Sequence, residues 1–266
     1  MNDTIPERHP LKNKPLIEAM LELHWQLAEN PKPTVTIDPG FRIFLGRYYD
    51  RVRSWYPHVE DLPTSELPER VVPHVARHRF WAAEGAWPVT QVGPGILTVN
   101  ETDGYLWETF RPRLVDAFNA LLASYPTEIA PLRLNQIVLR YIDSVKFDEG
   151  GSSTPMLTFL RESLHTTVGV DPLVFSDPTE AETPLGLNLS LTYRTAKPNG
   201  VVMLTLGNGM KADIPSIIWE TKVVSTEGDT PTELKTFERW LDEAHIVSDN
   251  WFFGLIRGKL LNQFEE

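Results

Sequence analysis

The chain has 266 residues, 41% hydrophobic and 10% aromatic, enough for a substantial core in one large domain or two ordinary ones. It contains no cysteine, which excludes disulfides, thiolate metal sites, iron–sulfur clusters and a cysteine nucleophile together. With 25 Lys and Arg against 36 Asp and Glu, the net charge of −11 opposes broad, charge-driven binding to nucleic acid.

No apolar run is long enough to span a bilayer, and the N-terminal MNDTIPERHPLKNKP lacks the apolar stretch of a signal peptide. The cytoplasm is the expected location, with no membrane partner. In chain order, PLIEAMLELHW (Pro15–Trp25) sets Leu21, Leu23 and Trp25 against Met20, Glu22 and His24, the alternation of a half-buried strand. Phe41, Phe44, Leu45, Tyr48, Val52 and Trp55 then recur at helical spacing, with Pro57 as the stop. Arg47 and Arg51 lie on one flank of that helix, Arg42 and Arg53 on the other.

A polar, proline-punctuated stretch from His58 to Pro73 leads to a short strand at HRFWAAEG and then to QVGPGILTVNE (Gln91–Glu101). A phosphate cradle needs glycines between a strand and a helix, with backbone N–H groups turned to the ligand. Pro94 removes one such donor and Ile96–Val99 continues as strand, so Gly93-Pro94-Gly95 is read as a hairpin turn. A second amphipathic helix follows in YLWETFRPRLVDAFNALLASYP, with Phe110, Leu114, Phe118, Leu121 and Leu122 on its core face. Proline fits the first turn of a helix, so Pro112 places the start of the regular part near Arg111.

The strand LRLNQIVLRYIDSVKF, with alternating Ile137, Leu139 and Tyr141, closes a β-α-β-β-α-β order. That order predicts a ferredoxin-like α+β unit over residues 1–148, with DEGGSST (Asp148–Thr154) as the boundary. Residues 149–266 then form a second α+β subdomain: a short helix over Pro155–Leu164, three strands in an antiparallel meander, and a long C-terminal helical segment. Thr230-Pro231-Thr232-Glu233 reads as the capping box of that segment, and Ser248-Asp249-Asn250 as a second cap within it.

His74 and His78 stand four apart, but Val75 occupies the position where a helical metallopeptidase motif requires glutamate, so loop or edge-strand histidines are expected. His245 falls on the apolar face of the last helix with Glu238, Asp242 and Asp249 at its edge. It is either a core imidazole satisfied by a neighbour or a base or ligand oriented by a carboxylate. Asp242, His245 and Asp249 on one helix make only a partial metal shell, and no metal or cofactor is assigned. Several arginines on one sheet face with Trp81, Tyr105 and Trp107 would make a stacking platform for single-stranded nucleic acid, but IVLRYIDSV lacks the closely spaced aromatics of such strands.

The segments KPLIEAMLELHW, QVGPGILTVNE followed by YLWETF, LRYIDSV, and LDEAHIVSDNWFFGLI together resemble a sporadically distributed family of uncharacterised bacterial proteins of similar length. The resemblance spans nearly the whole chain. It transfers no catalytic residue, because the family carries no established activity; its patchy occurrence implies accessory roles such as toxin neutralisation or phage defence.

The reading of the sequence is therefore a non-enzymatic, macromolecule-binding protein, its partner another protein, in an antitoxin-like or phage-defence role; a homo-oligomer is compatible with it. Arg47, Arg51 and Trp107 are the candidates for partner contact. The alternative is an enzyme or small-molecule binder with its site between the two subdomains, where His245, Asp242 and Arg140 are the candidate catalytic residues.

Overall fold

The computed structural model describes residues 11–29, 36–68, 73–102, 104–147, 155–177 and 184–266. Asp148–Thr154, the expected boundary, lie outside the described residues. The alternation in the first segment is realised as β1 (Leu16–Trp25), whose Ala19, Leu21, Leu23 and Trp25 are fully buried while the residues between them are half-buried. A two-strand ribbon, β2 (Ala28–Glu29) and β3 (Thr36–Ile37), leads to helix α1 (Phe41–Val52). There follow β4 (His58–Asp61), β5 (His78–Trp81), β6 (Val89–Gly93), β7 (Ile96–Glu101), α2 (Trp107–Ser124) and β8 (Leu134–Lys146). Beyond these lie α3 (Met156–Ser163), β9 (Asn188–Ala196), β10 (Asn199–Lys211), β11 (Ile214–Thr226), α4 (Leu234–Ile256) and α5 (Lys259–Glu265).

One nine-stranded sheet runs through both halves of the sequence in the order β4-β5-β6-β7-β1-β8-β11-β10-β9, every pair antiparallel. Its central joint is the β8–β11 ladder, in register from Ser216 opposite Lys146 to Thr226 opposite Gln136. The chain is α+β, with the helices packed on one side of the sheet. Directly opposed residues share a face, so the buried set of β1 is continued by Leu97 and Val99 on one side and by Ile137, Leu139, Tyr141 and Val223 on the other.

Phe41, Phe44, Tyr48 and Val52, at the spacing that put them on one helical stripe, are the buried residues of α1. Phe44 meets Trp25 edge-on at 5.6 Å, and Phe118 of α2 stacks on Phe237 of α4 at 4.1 Å. Each such aromatic contributes roughly 1.5–3 kcal/mol by leaving water. A second hydrophobic cluster, around Trp219, Leu206, Leu160 and Ile256, lies toward the C-terminal end of the helical layer.

The other sheet face is polar and laced with ion pairs. Arg140 sits there between Glu22 and Glu220, Lys222 reaches Glu220 at 2.9 Å, and His24 reaches Glu22 at 3.0 Å. Farther along, the Arg79 guanidinium lies 4.9 Å over the Trp81 ring. Among the described residues no helix is long and apolar enough to cross a membrane.

Gly93 ends β6 and Ile96 begins β7, so Gly93-Pro94-Gly95 is the turn of a hairpin. Both glycines are required by space: a Cβ on Gly93 would lie 1.9 Å from the Val75 carbonyl oxygen, and Gly95, at φ +78, would press on the His74 ring. The Gly95 amide donates to the Asp38 carboxylate at 3.1 Å, so its N–H is committed to the fold.

Four local expectations are corrected. His58–Asp61 of the polar stretch forms edge strand β4, held by the register of β5 although all four of its residues are exposed. α2 starts at Trp107, with Pro112 inside it; the proline is on the exposed side, where the Glu108 carbonyl it leaves unpaired can be hydrated. The capping box of α4 is Glu233 with Thr236, three residues later than expected, and the Thr230 hydroxyl instead lies 2.9 Å from the Leu134 carbonyl. α4 also runs unbroken through Ser248-Asp249-Asn250, because Ser248 faces the core; the chain turns only at Gly258, φ +82.

Candidate functional site

His245 lies in a cleft of about 210 Å³ formed where the two hydrophobic clusters meet. Its walls come from the lead into β1 (Lys14–Leu16), the entry to α2 (Tyr105–Glu108), β8 (Tyr141 and Asp143), Thr221 of β11, and one stripe of α4. That stripe is His245, Ser248, Asp249 and Phe252, at positions i, i+3, i+4 and i+7 of one helix. Tyr141 and Asp143 are two apart on β8 and so point to the same side, which brings an acid into the apolar phase of the strand.

The Trp107 ring stacks on the His245 imidazole with centroids 3.8 Å apart and planes 14° from parallel. His245 Nδ1 is 3.2 Å from the Tyr141 hydroxyl, which is 3.0 Å from the Tyr105 hydroxyl. The three groups form a chain with two self-consistent directions. Either Tyr105 donates to Tyr141 and Tyr141 to Nδ1, or a protonated Nδ1 donates to Tyr141 and Tyr141 to Tyr105. Burial pushes both hydroxyls well above the ordinary tyrosine range, so both remain protonated across neutral pH. Such a chain can orient the imidazole and hold or pass a proton at the cleft wall.

Asp143 is 3% exposed, and burial pushes its carboxyl up to about 8, opposed only by the charge of Lys211. It is therefore predominantly a neutral acid at pH 7, able to donate as well as accept. The buried hydroxyls of Ser248 and Thr221 have no hydrogen-bond partner among the described residues. Buried polar groups are normally paired, and two orphan hydroxyls in the same cleft as a buried carboxyl are the signature of groups arranged for something outside the chain.

The candidate residues from the sequence separate. His245 and Trp107 share the cleft. Asp242 does not line it; its carboxylate takes a bidentate pair of bonds from Arg111, at 2.6 and 2.8 Å. Arg140 is on the opposite face of the sheet, among Glu22 and Glu220. Arg47 is an exposed residue of α1 paired with Glu128 at 2.7 Å, and Arg51 is exposed on the same helix. Trp81 lies on the polar sheet face with Arg79, away from Tyr105 and Trp107, so the arginines and aromatics do not assemble on one face.

Tyr105, Tyr141, Asp143, Thr221 and Ser248 were not singled out as one site from the sequence. The legible signal was Asp143, two residues beyond the inward Tyr141. His74 and His78 take separate partners, the Gly95 carbonyl at 3.0 Å and Asp61 at 2.7 Å. Among the described residues no group of three or more His, Asp or Glu is placed to hold a metal ion. A second cavity, under α1, differs in kind: its Tyr48 hydroxyl is bonded to Thr90 at 2.8 Å and its Arg113 to Glu101 at 2.7 Å.

No protein-family model and no curated protein matches the chain. Solved structures that align with it include two di-domain ARO/CYC proteins, StfQ from the steffimycin biosynthetic pathway and BexL. Identities are 10% and 12% and TM-scores 0.21 and 0.19, over 94% of this chain and 98% of each of theirs; likeness at that level carries no argument about fold or function.

Proposed function

We propose that the protein binds a small molecule in the cleft between α2 and α4. The observation that carries this reading is one aromatic-walled cleft lined by the buried Asp143 carboxyl and by the buried Thr221 and Ser248 hydroxyls, which have no hydrogen-bond partner among the described residues. Unpaired buried groups each cost about 1–3 kcal/mol, and a ligand that pairs them recovers that cost as affinity. The Tyr105–Tyr141–His245 chain extends the reading toward proton transfer on the bound molecule. Native mass spectrometry of protein gently isolated from its host tests it. A bound small molecule that disappears when Ser248→Phe fills the cleft is the expected result; a protein partner that persists in that variant, with no small molecule in the wild type, overturns it.

A second proposal keeps the protein partner, in an antitoxin-like or phage-defence accessory role in the cytoplasm. It is favoured by exposed Ile43 and Trp55, 42% and 52% accessible, on and just after α1, the helix that carries Arg47 and Arg51. For residues 1–148 we also propose a ferredoxin-like core built from β1, β6, β7 and β8. The support for it is their adjacent order β6-β7-β1-β8, with α1 before the β6–β7 hairpin and α2 after it.

A further inference from the structure

The nine-stranded sheet ends in two edges that differ in kind. At one, β4 is four residues long, carries Glu60 and Asp61, and has Pro57 just before it. Short length, charge and proline are devices that keep an edge from pairing with another chain. At the other, β9 is nine residues, Asn-Leu-Ser-Leu-Thr-Tyr-Arg-Thr-Ala, with Arg194 its only charge and no proline within it. Its register with β10 runs without a bulge from Asn188 opposite Gly207 to Ala196 opposite Asn199, and none of its residues is buried.

The ladder fixes which backbone groups of β9 point outward. The Asn208 amide donates to the Leu187 carbonyl at 3.3 Å, one step beyond the Asn188–Gly207 pair. Hydrogen-bonded pairs alternate in an antiparallel ladder, so Leu189, Leu191, Tyr193 and Thr195 bond to β10. Asn188, Ser190, Thr192, Arg194 and Ala196 turn their amides and carbonyls outward, where no strand of the described residues pairs with them. The side chains of the first set lie on the helical face. There Tyr193 stands opposite the buried Val202 and meets Trp251 of α4 at 5.4 Å, yet remains 50% exposed.

We propose that β9 is the interface of a homodimer, pairing antiparallel with β9 of a second copy across a two-fold axis at Thr192. Thr192 is the midpoint of the strand, so this register opposes all nine residues of each copy. It sets outward groups against outward groups: Thr192 against Thr192, Ser190 against Arg194, Asn188 against Ala196. Five such pairs with two bonds each give about ten backbone hydrogen bonds, as many as a typical interface carries. On the helical face, Leu191 of one copy meets Tyr193 of the other in a non-hydrogen-bonded pair, where side chains come closest, and covers the exposed ring. No like charges are opposed, whereas a two-residue slide would set Arg194 against Arg194. A second copy brings this complementary set by symmetry; an unrelated extended peptide would have to carry it by chance. Because β4 is protected, pairing through β9 closes at two copies instead of running on as a filament.

The test uses the full chain, which has no cysteine of its own. Sedimentation equilibrium should show the mass rising from one chain to two between about 1 and 200 µM, since a single ladder lies at the small end of specific interfaces. Thr192→Pro removes an outward N–H without touching the bonds to β10, and should hold the chain monomeric throughout. Thr192→Cys gives a second readout that does not depend on the proline variant folding. Opposed residues of a hydrogen-bonded pair have Cα atoms about 5.5 Å apart, within reach of a disulfide, so mild oxidation should link two copies. The sites of Arg194→Cys would stand roughly 14 Å apart across the two-fold and should stay unlinked. A wild type that remains monomeric to the highest concentration overturns the proposal, even if a peptide of another protein is found on β9. So does a dimer that survives Thr192→Pro with no cross-link in Thr192→Cys, and so does equal cross-linking of both cysteine variants, the mark of random collision.

Discussion

Two buried aspartates in this protein stand in opposite circumstances. Asp38, 5% exposed, accepts from four donors: Trp25 Nε1 at 2.8 Å, the Tyr125 hydroxyl at 2.9 Å, and the amides of Gly40 at 3.0 Å and Gly95 at 3.1 Å. Asp143, 3% exposed, sits in a cleft beside hydroxyls that are themselves unpartnered among the described residues. Burial alone therefore does not separate structure from function. The Asp38 carboxylate is solvated by the fold, tying the ribbon before α1 to the β6–β7 turn and the end of α2. Asp143 is desolvated, and burial pushes its carboxyl up to about 8.

The contrast breaks first at Asp38. Asp38→Ala strands two backbone and two side-chain donors in the core, and is expected to cost about 3–5 kcal/mol in urea unfolding. A loss under about 1 kcal/mol would mean that water replaces the carboxylate and that the site is not closed. Asp143→Asn should behave in the opposite way. Unfolded, Asp143 titrates near 3.8; folded, near 8, so between those values the folded state keeps a proton that the unfolded chain has lost. Wild-type stability then falls as pH rises through that window and is flat above it. The asparagine variant lacks this slope, and relative to its value at pH 5 should gain on the order of 2–4 kcal/mol over wild type by pH 9. Parallel stability curves for the two proteins would show that the carboxyl is hydrated after all.

Much of the architecture was legible because burial has a period. β1 and the buried stripe of α1 follow directly from alternation and from i, i+3, i+4 spacing, and the hairpin at Gly93–Gly95 from Pro94 and the β-branched run after it. Strand β4, His-Val-Glu-Asp, has no such period: it is exposed at the sheet edge and held by backbone bonds to β5 and by Glu60 and Asp61 bonding Trp81 and His78, pairings between strands that no periodicity within β4 reveals. The site was half legible. Strand parity alone puts Arg140 on the face opposite its neighbour Tyr141, and carries the inward phase on to Asp143. His245 was visible as an imidazole on an apolar helical face. Its partners were not, because Trp107, Tyr105 and Tyr141 reach it from elements that only the sheet order brings together. Ser248 looked like a helix cap because serine favours caps, whereas here its hydroxyl is buried in mid-helix.

Smaller effects test the cleft's own wiring. Tyr141→Phe removes the hydroxyl between Tyr105 and His245 Nδ1 and should cost about 1–2 kcal/mol, with a shift of the His245 ring nitrogen resonances as the specific readout. A stability loss without that shift would mean that the imidazole is positioned by the Trp107 stack alone. The smallest effect belongs to Arg111→Ala. The Arg111–Asp242 bonds are bidentate and short, but the two side chains are 30% and 48% exposed. Solvent screening holds the pair to about 0.5–1 kcal/mol, less at high salt. Asp242 does not line the cleft, so Asp242→Asn should lower stability by the same small amount and leave ligand affinity unchanged. If Asp242→Asn abolished binding while Asp143→Asn did not, the functional carboxylate would lie on the outer edge of α4, and the cleft would be a packing defect between two cores.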